Sequence, residues 1–314
     1  MIIRKHLVQV GVTVFAAVAV VLGTAAADAA TAGPARPSGA HLAPSVRSAP
    51  ACNPDASSIR PSGPPRVTSG SFMATIKARG YLIAGVDQST YHFGFLNPLD
   101  NQIEGFDIDM VRAVADAIFG NTNPGNVHFK AISDQDRIQD VQNGTVDIVA
   151  HTMTITCDRL QKLDFSSVYF DAGQRVLVQK NSGISGLAAL KGQRVCATSG
   201  SDSPAAIAKA GAVPVEVTYW TDCLVLLQQG DVQAISTDDS ILDGLAAQDP
   251  FTEMVGDRLT HEPYGLAIAK QHPEFVQFVN AVLEQLRADG QWADSYRRWI
   301  GSDVPPPPAA QYGS

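Results

Sequence analysis

The sequence predicts an α/β protein of two lobes around a central ligand cleft. Three observations carry that expectation. The chain has 314 residues, which suits two domains of roughly 100–130 residues better than one. Its body alternates short β-prone apolar runs with helical patterns, the order that builds parallel sheets. That alternation starts twice, near residue 81 and again near Arg175, and further elements follow Glu262 as if the second unit were inserted into the first.

The elements follow in chain order. Residues 81–86 (YLIAGV) are a buried, parallel-type strand. Residues 106–119 (FDIDMVRAVADAIF) form an amphipathic helix, with Met110, Val111, Val114, Ala117 and Ile118 at helical spacing. Strand 128–132 follows, then Ser133 to Asp136 as an S-x-x-D capping box opening a helix that Gly144 closes. Residues 146–150 (VDIVA) complete β-α-β-α-β. The second unit runs strand 175–180, strand 193–198, helix 203–211, strand 214–219, helix 222–230 and strand 232–237. A strand over 264–270 and helices over 274–290 and 291–301 finish the body. Open α/β sheets bind ligands at the carboxyl ends of their strands, so the cleft between two such units is the expected site.

Composition narrows the function. Apolar residues are 45% and charged residues 17%, a globular balance. Six Lys/Arg and two acids precede residue 71, which leaves 17 basic and 29 acidic residues in the body, a net of −12 from totals of 23 and 31. A body this acidic is a poor nucleic-acid partner. Any anion it holds must meet locally placed Arg and backbone N–H groups.

Arg4 and Lys5 precede an apolar run to Gly23 and a small-residue stretch in which Ala25 and Ala27 fit an A-x-A cleavage site. Residues 1–30 are therefore expected to be a signal peptide, with an uncleaved anchor as the alternative. The run ends without a Cys for a lipid anchor. Residues 31–70, with eight prolines, are expected to be an extended or disordered linker, and residues 303–314 a Pro-rich tail.

Four cysteines in an exported chain point to two disulfides, with three possible pairings. Cys196 ends a strand and Cys223 opens a helix nearby, so these two are paired. Cys52 is left with Cys157, which would pin the linker to the body. The seven His form no HExxH and no Cys/His spacing suggests zinc, so neither metal nor cofactor is expected.

The ordered motifs IAGVD, GFDIDMVRAVADAI, VQNGTVDIVAHTMTITCDRLQKLDFS, ALKGQRVCATSGSDS, QQGDVQAISTDDSIL, EPYGLAIAK and LRADGQWADSYRRWIG resemble extracellular solute-binding proteins, family 3, over residues 72–301. They look closest to actinobacterial glutamate-, aspartate- or glutamine-binding receptors of ABC importers. The resemblance implies a type II periplasmic-binding-protein-like fold. Lobe 1 would be about 72–173 plus 263–302, and lobe 2 about 174–262. It implies a monomeric, non-enzymatic receptor that closes on one amino acid and delivers it to a membrane permease. A sensor feeding a signalling partner, or a cyclohexadienyl-dehydratase-like enzyme on the same fold, are the alternatives.

The resemblance also places residues. Arg159 matches the Arg that holds the α-carboxylate, a role its planar fork suits. Asp238 matches the acid that takes the ammonium, with Asp239 expected as a helix cap. Thr152 and Thr154 offer hydroxyl or N–H groups. Ser201 opens a helix whose N-terminus can receive an anion, and Asp202 departs from the family pattern unless it turns outward to cap. Asp87 and Tyr91 leave the first strand toward the cleft, Tyr91 as a possible aromatic lid, and His151 is a further contact. Arg137 matches an Arg of glutamate/aspartate-binding relatives and would bind a side-chain carboxylate. An acidic amino acid is accordingly the expected ligand, with the amides next.

Overall fold

A computed structural model describes residues 52–313; the expected signal peptide and linker residues 31–51 lie outside them. Two mixed five-stranded sheets organise the chain. In the first, Val127–Ala131, Leu82–Val86 and Ile148–Ala150 run parallel, with Ala267–Ile268 and Asp164–Phe165 completing the order. In the second, Val213–Val217, Arg194–Thr198 and Ala234–Asp238 run parallel, and Gln174–Gln179 and Thr252–Val255 continue antiparallel. The chain passes between the two lobes through one antiparallel pair, Phe170–Ala172 with Glu262–Tyr264.

Burial explains why these runs became central strands. Ile148 and Ala150 face the core that packs under helices Phe106–Phe119 and Pro273–Ala288, while Val149 faces the opposite core with Met153, Ile155 and Phe165. Both faces are covered, so the strands read as continuous apolar runs. Lobe 2 has its own core of Val176, Leu177, Val195, Leu227, Ile235 and Leu245. No helix among the described residues is long and apolar enough to cross a membrane.

Local structure departs from expectation in three places. Ser133 does not cap the next helix: its hydroxyl bonds the Asp136 carboxylate at 2.6 Å, residues 134–136 form a turn, and the helix is Arg137–Gln142. The expected strand over 264–270 is split, because its start belongs to the hinge pair and its middle to the first sheet. Residues 52–70 are not a free linker. Ser58 is buried, donates to the Phe165 carbonyl at 2.6 Å and accepts from Asn280 at 2.7 Å. Tyr312 of the tail pairs with Ser58, and its hydroxyl donates to Glu284 at 2.6 Å. Proline-rich composition removed backbone donors there without preventing ordering by long-range contacts.

Cys196 bonds Cys223, and Cys52 bonds Cys157. The first bridge fastens helix Trp220–Gln229 to strand Arg194–Thr198; the second fastens the N-terminal arm to the short helix Cys157–Leu160. Closing loops of 27 and 105 residues stabilises each by about 3–5 kcal/mol in the chain-entropy account.

Candidate ligand cleft

Two segments at the carboxyl ends of the first sheet, those after strands Val127–Ala131 and Ile148–Ala150, bring lobe 1 to the cleft. After strand Ile148–Ala150 the chain turns at Thr152, whose φ of +43° is strained for a β-branched residue. Buried Asp107 holds this turn: it accepts from the Thr152 N–H at 2.8 Å and from the Tyr169 hydroxyl at 2.6 Å. Burial pushes the Asp107 carboxyl up to about 6, against those two hydrogen bonds. Arg159 then emerges from helix Cys157–Leu160, whose N-cap Thr156 accepts from the Arg159 N–H.

Arg159, Arg137 and Thr152 from lobe 1 meet Ser201, Trp220 and Asp238 from lobe 2 around a narrow cavity. The two arginines differ in kind. Arg159 donates to the Thr154 carbonyl at 2.7 Å and stands 3.7 Å from Asp202; its Nε and Nη2 have no acceptor among the described residues. Burial and the nearby Arg137 lower its pKa, opposed by Asp202, Asp134 and Asp238. Arg137 has every nitrogen engaged: Nε to the Asp134 carbonyl, Nη1 to the His151 carbonyl and the Asp134 carboxylate, and Nη2 to the Gly200 carbonyl, at 2.8–3.3 Å. Burial pushes the Asp134 carboxyl up, but Arg137, His151 and the Thr198 hydroxyl more than offset it and the pKa falls. Expected as a free side-chain cation, Arg137 is instead half of a buried ion pair.

On lobe 2, Asp238 ends its strand and accepts from the Tyr264 hydroxyl at 2.6 Å; Ser240 in turn bonds the tyrosine oxygen at 2.7 Å. Burial raises the Asp238 pKa well above the carboxylate range, and the negative charges of Asp202 and Glu262 raise it further. Asp239 does not cap: it is the first residue of helix Asp239–Gln248 and binds the Gly173 N–H and Arg258. Asp202 likewise makes no capping bond and faces Arg159. Ser201 lines the cavity while donating to the Thr198 carbonyl at 2.8 Å.

Other expected residues play supporting parts. Asp87 binds the N–H groups of Gln88 and Ser89 and the hydroxyls of Ser89 and Thr90, so its carboxylate is spent on its own loop. Tyr91 does not line the cavity and is no lid there. Its ring is partly exposed, edge-on to Phe95, and its carbonyl lies against Gly244 of lobe 2. Thr154 pairs with hinge residue Tyr264 and helps bond Glu262. His151 is buried, with Nε2 on the Ile132 carbonyl at 3.0 Å. Trp220 and Tyr264 escaped the sequence reading. A tryptophan opening a helix after a strand is the available signal for the first, whereas Tyr264 looked like one more apolar strand residue. Asp55, Asp171 and His261 cluster within 4.8 Å, but none of them lines the cavity.

Contacts between the lobes close over this cavity. Thr198 bonds Asp134, and Gly200, at φ +84°, passes so near Gln135 that an added Cβ would meet its Cα and N at 2.7 Å. Gly200→Ala is expected to leave both lobes folded but oppose this closed arrangement, weakening ligand binding tenfold or more. Calorimetric titration checks it, and unchanged affinity would count against closure at this point.

Residues 82–302 match the family described as bacterial extracellular solute-binding proteins, family 3. The ABC transporter glutamine-binding protein GlnH of Bacillus subtilis is 36% identical over 234 residues, 74% of this chain and 85% of its own. A glutamate/aspartate import solute-binding protein of Salmonella typhimurium is 28% identical over 250 residues, 76% of this chain and 82% of its own. A solved ancestral arginine-binding protein bound to glutamine has a TM-score of 0.66 at 33% identity, covering 71% of this chain and 99% of its own. With most of its folded body inside the family's bounds, the chain is a member of the bacterial extracellular solute-binding proteins, family 3.

Proposed function

We propose that the protein is an exported receptor that captures an L-α-amino acid with a neutral polar side chain, glutamine foremost, and hands it to an ABC importer. The carrying observation is the contrast between the two arginines. Arg159 keeps Nε and Nη2 free to take an α-carboxylate as a bidentate pair. Asp238, across the cavity, suits the ammonium. Arg137 is neutralised by Asp134 at 2.8 Å, and each of its three nitrogens already donates to a protein oxygen, which leaves it a single N–H, on Nη2. With Arg137 and Asp134 cancelling each other, a second carboxylate on the ligand would enter a site where Asp202 and Asp238 face one unpaired cation, Arg159. We therefore favour an amide over the acidic ligand expected from Arg137; a glutamine-binding and a glutamate/aspartate-binding relative both stand among the similar proteins.

Calorimetry with glutamine, asparagine, glutamate and aspartate tests this. Glutamine is expected to bind most tightly, and a lead for glutamate would reverse the assignment. The affinity should also fall with acid. An ammonium needs ionised Asp238, and the raised pKa means the empty site takes up a proton already above the ordinary carboxylate range. Below that point binding must displace the proton, so a pH-independent affinity would argue against Asp238 as the ammonium partner.

A further inference from the structure

Two buried polar atoms near the cavity have no hydrogen-bond partner among the described residues: Trp220 Nε1, and His151 Nδ1, which stands 3.5 Å from an Asp134 carboxylate oxygen. Each residue is 2% exposed. Both border a second, narrow space whose wall includes Asp134. Trp220 and Asp134 also line the cavity of Arg159 and Asp238, so the two spaces adjoin through them. The other two tryptophans are satisfied, Trp292 by the Tyr169 carbonyl and Trp299 by Asp109, each at 2.8 Å. A buried donor without an acceptor is costly, and an indole N–H can only donate.

We infer that Trp220 is a specificity-determining residue whose Nε1–H donates to the ligand's side-chain carbonyl oxygen, while Asp134 and His151 face the amide N–H₂. The inference rests on the receptor reading above and names its side-chain subsite. A primary amide presents one acceptor and two donors. The subsite offers the complement: an indole donor, the Asp134 carboxylate, and an imidazole whose Nε2 is committed to the Ile132 carbonyl. Trp220 is the first residue of helix Trp220–Gln229, so the positive end of that helix adds to the attraction for a carbonyl oxygen. The Cys196–Cys223 bridge, three residues on, holds this helix end to the sheet. A guanidinium or ammonium side chain has no acceptor for Trp220 and leaves its N–H unpaired. A carboxylate satisfies Trp220 but confronts Asp134.

The test uses the full chain with ¹⁵N-labelled tryptophan, titrated with L-glutamine. Three indole N–H signals are expected, and the one lost in Trp220→Phe is Trp220. That signal should move downfield on saturation while the Trp292 and Trp299 signals stay. By calorimetry Trp220→Phe should bind glutamine about tenfold more weakly, the worth of one ordinary hydrogen bond. Glutamine binding that needs Arg159 but leaves the Trp220 signal in place overturns this inference and spares the receptor reading. So does wild-type affinity in Trp220→Phe. If no amino acid of the panel binds the wild-type chain, both readings fall.

Discussion

Arg159→Ala should weaken glutamine, glutamate, asparagine and aspartate alike, by about 30-fold or more. Every α-amino acid presents the same carboxylate. Removing the charged partner of a desolvated ion contact costs on the order of 2–5 kcal/mol, which spans that factor. The fold should tolerate the change, because Arg159 makes one hydrogen bond, to the Thr154 carbonyl, and its nearest acid, Asp202, is partly exposed. Calorimetry on a variant with an unaltered unfolding transition decides it. A loss confined to one ligand would remove Arg159 from the α-carboxylate and reopen the orientation of the ligand in the cleft.

Arg137→Ala should act on stability before it acts on selectivity. The substitution strands Asp134, 6% exposed, beside His151 and Thr198 without its principal counter-ion. Breaking a buried pair by removing one partner costs about 3–5 kcal/mol. The pH dependence should change with it. Asp134 now has a lowered pKa, so its contribution is present above the ordinary carboxylate range and is lost as pH falls through the lowered value. Without Arg137, burial would dominate and push the carboxyl up, so that contribution shrinks or reverses. Urea unfolding at neutral pH is the measurement. A variant as stable as the parent that loses only glutamate and aspartate would restore Arg137 as the reader of a side-chain carboxylate.

The sequence displayed most of the fold. Helix Phe106–Phe119 begins and ends where its apolar spacing puts it, and the parallel strands are the runs rich in Val, Ile and Ala. The cleft was legible where chemistry sits on a strand end, as at Asp238, or on a turn with its own motif, as at Arg159. It was illegible where the far lobe decides. Asp134 and Arg137, three residues apart, look like a solvated pair on a helix start. They are buried because Thr198 to Gly200, more than sixty residues away, dock over them. Tyr91, expected at the cavity, does not line it, and Trp220, given no role by the sequence, does: local sequence marks both as aromatic and leaves open which one the closed lobes turn inward. Residues 52–70 read as linker because their partners, Phe165, Asn280 and Tyr312, come from the far end of the chain.

Both ends of the described chain belong to lobe 1. Cys52 is bonded to Cys157, two residues before Arg159, and Tyr312 lies beside Ser58. Lobe 2 is a loop of chain with no terminus of its own, held to the rest by the hinge strands. A bead, dye or sensor surface attached at either end therefore grips the half that carries Arg159, and the proposed closure on ligand would move the other half. An optical reporter of closure needs its second label on lobe 2, and exposed Val225, in the helix that Trp220 opens, is a suitable place for it.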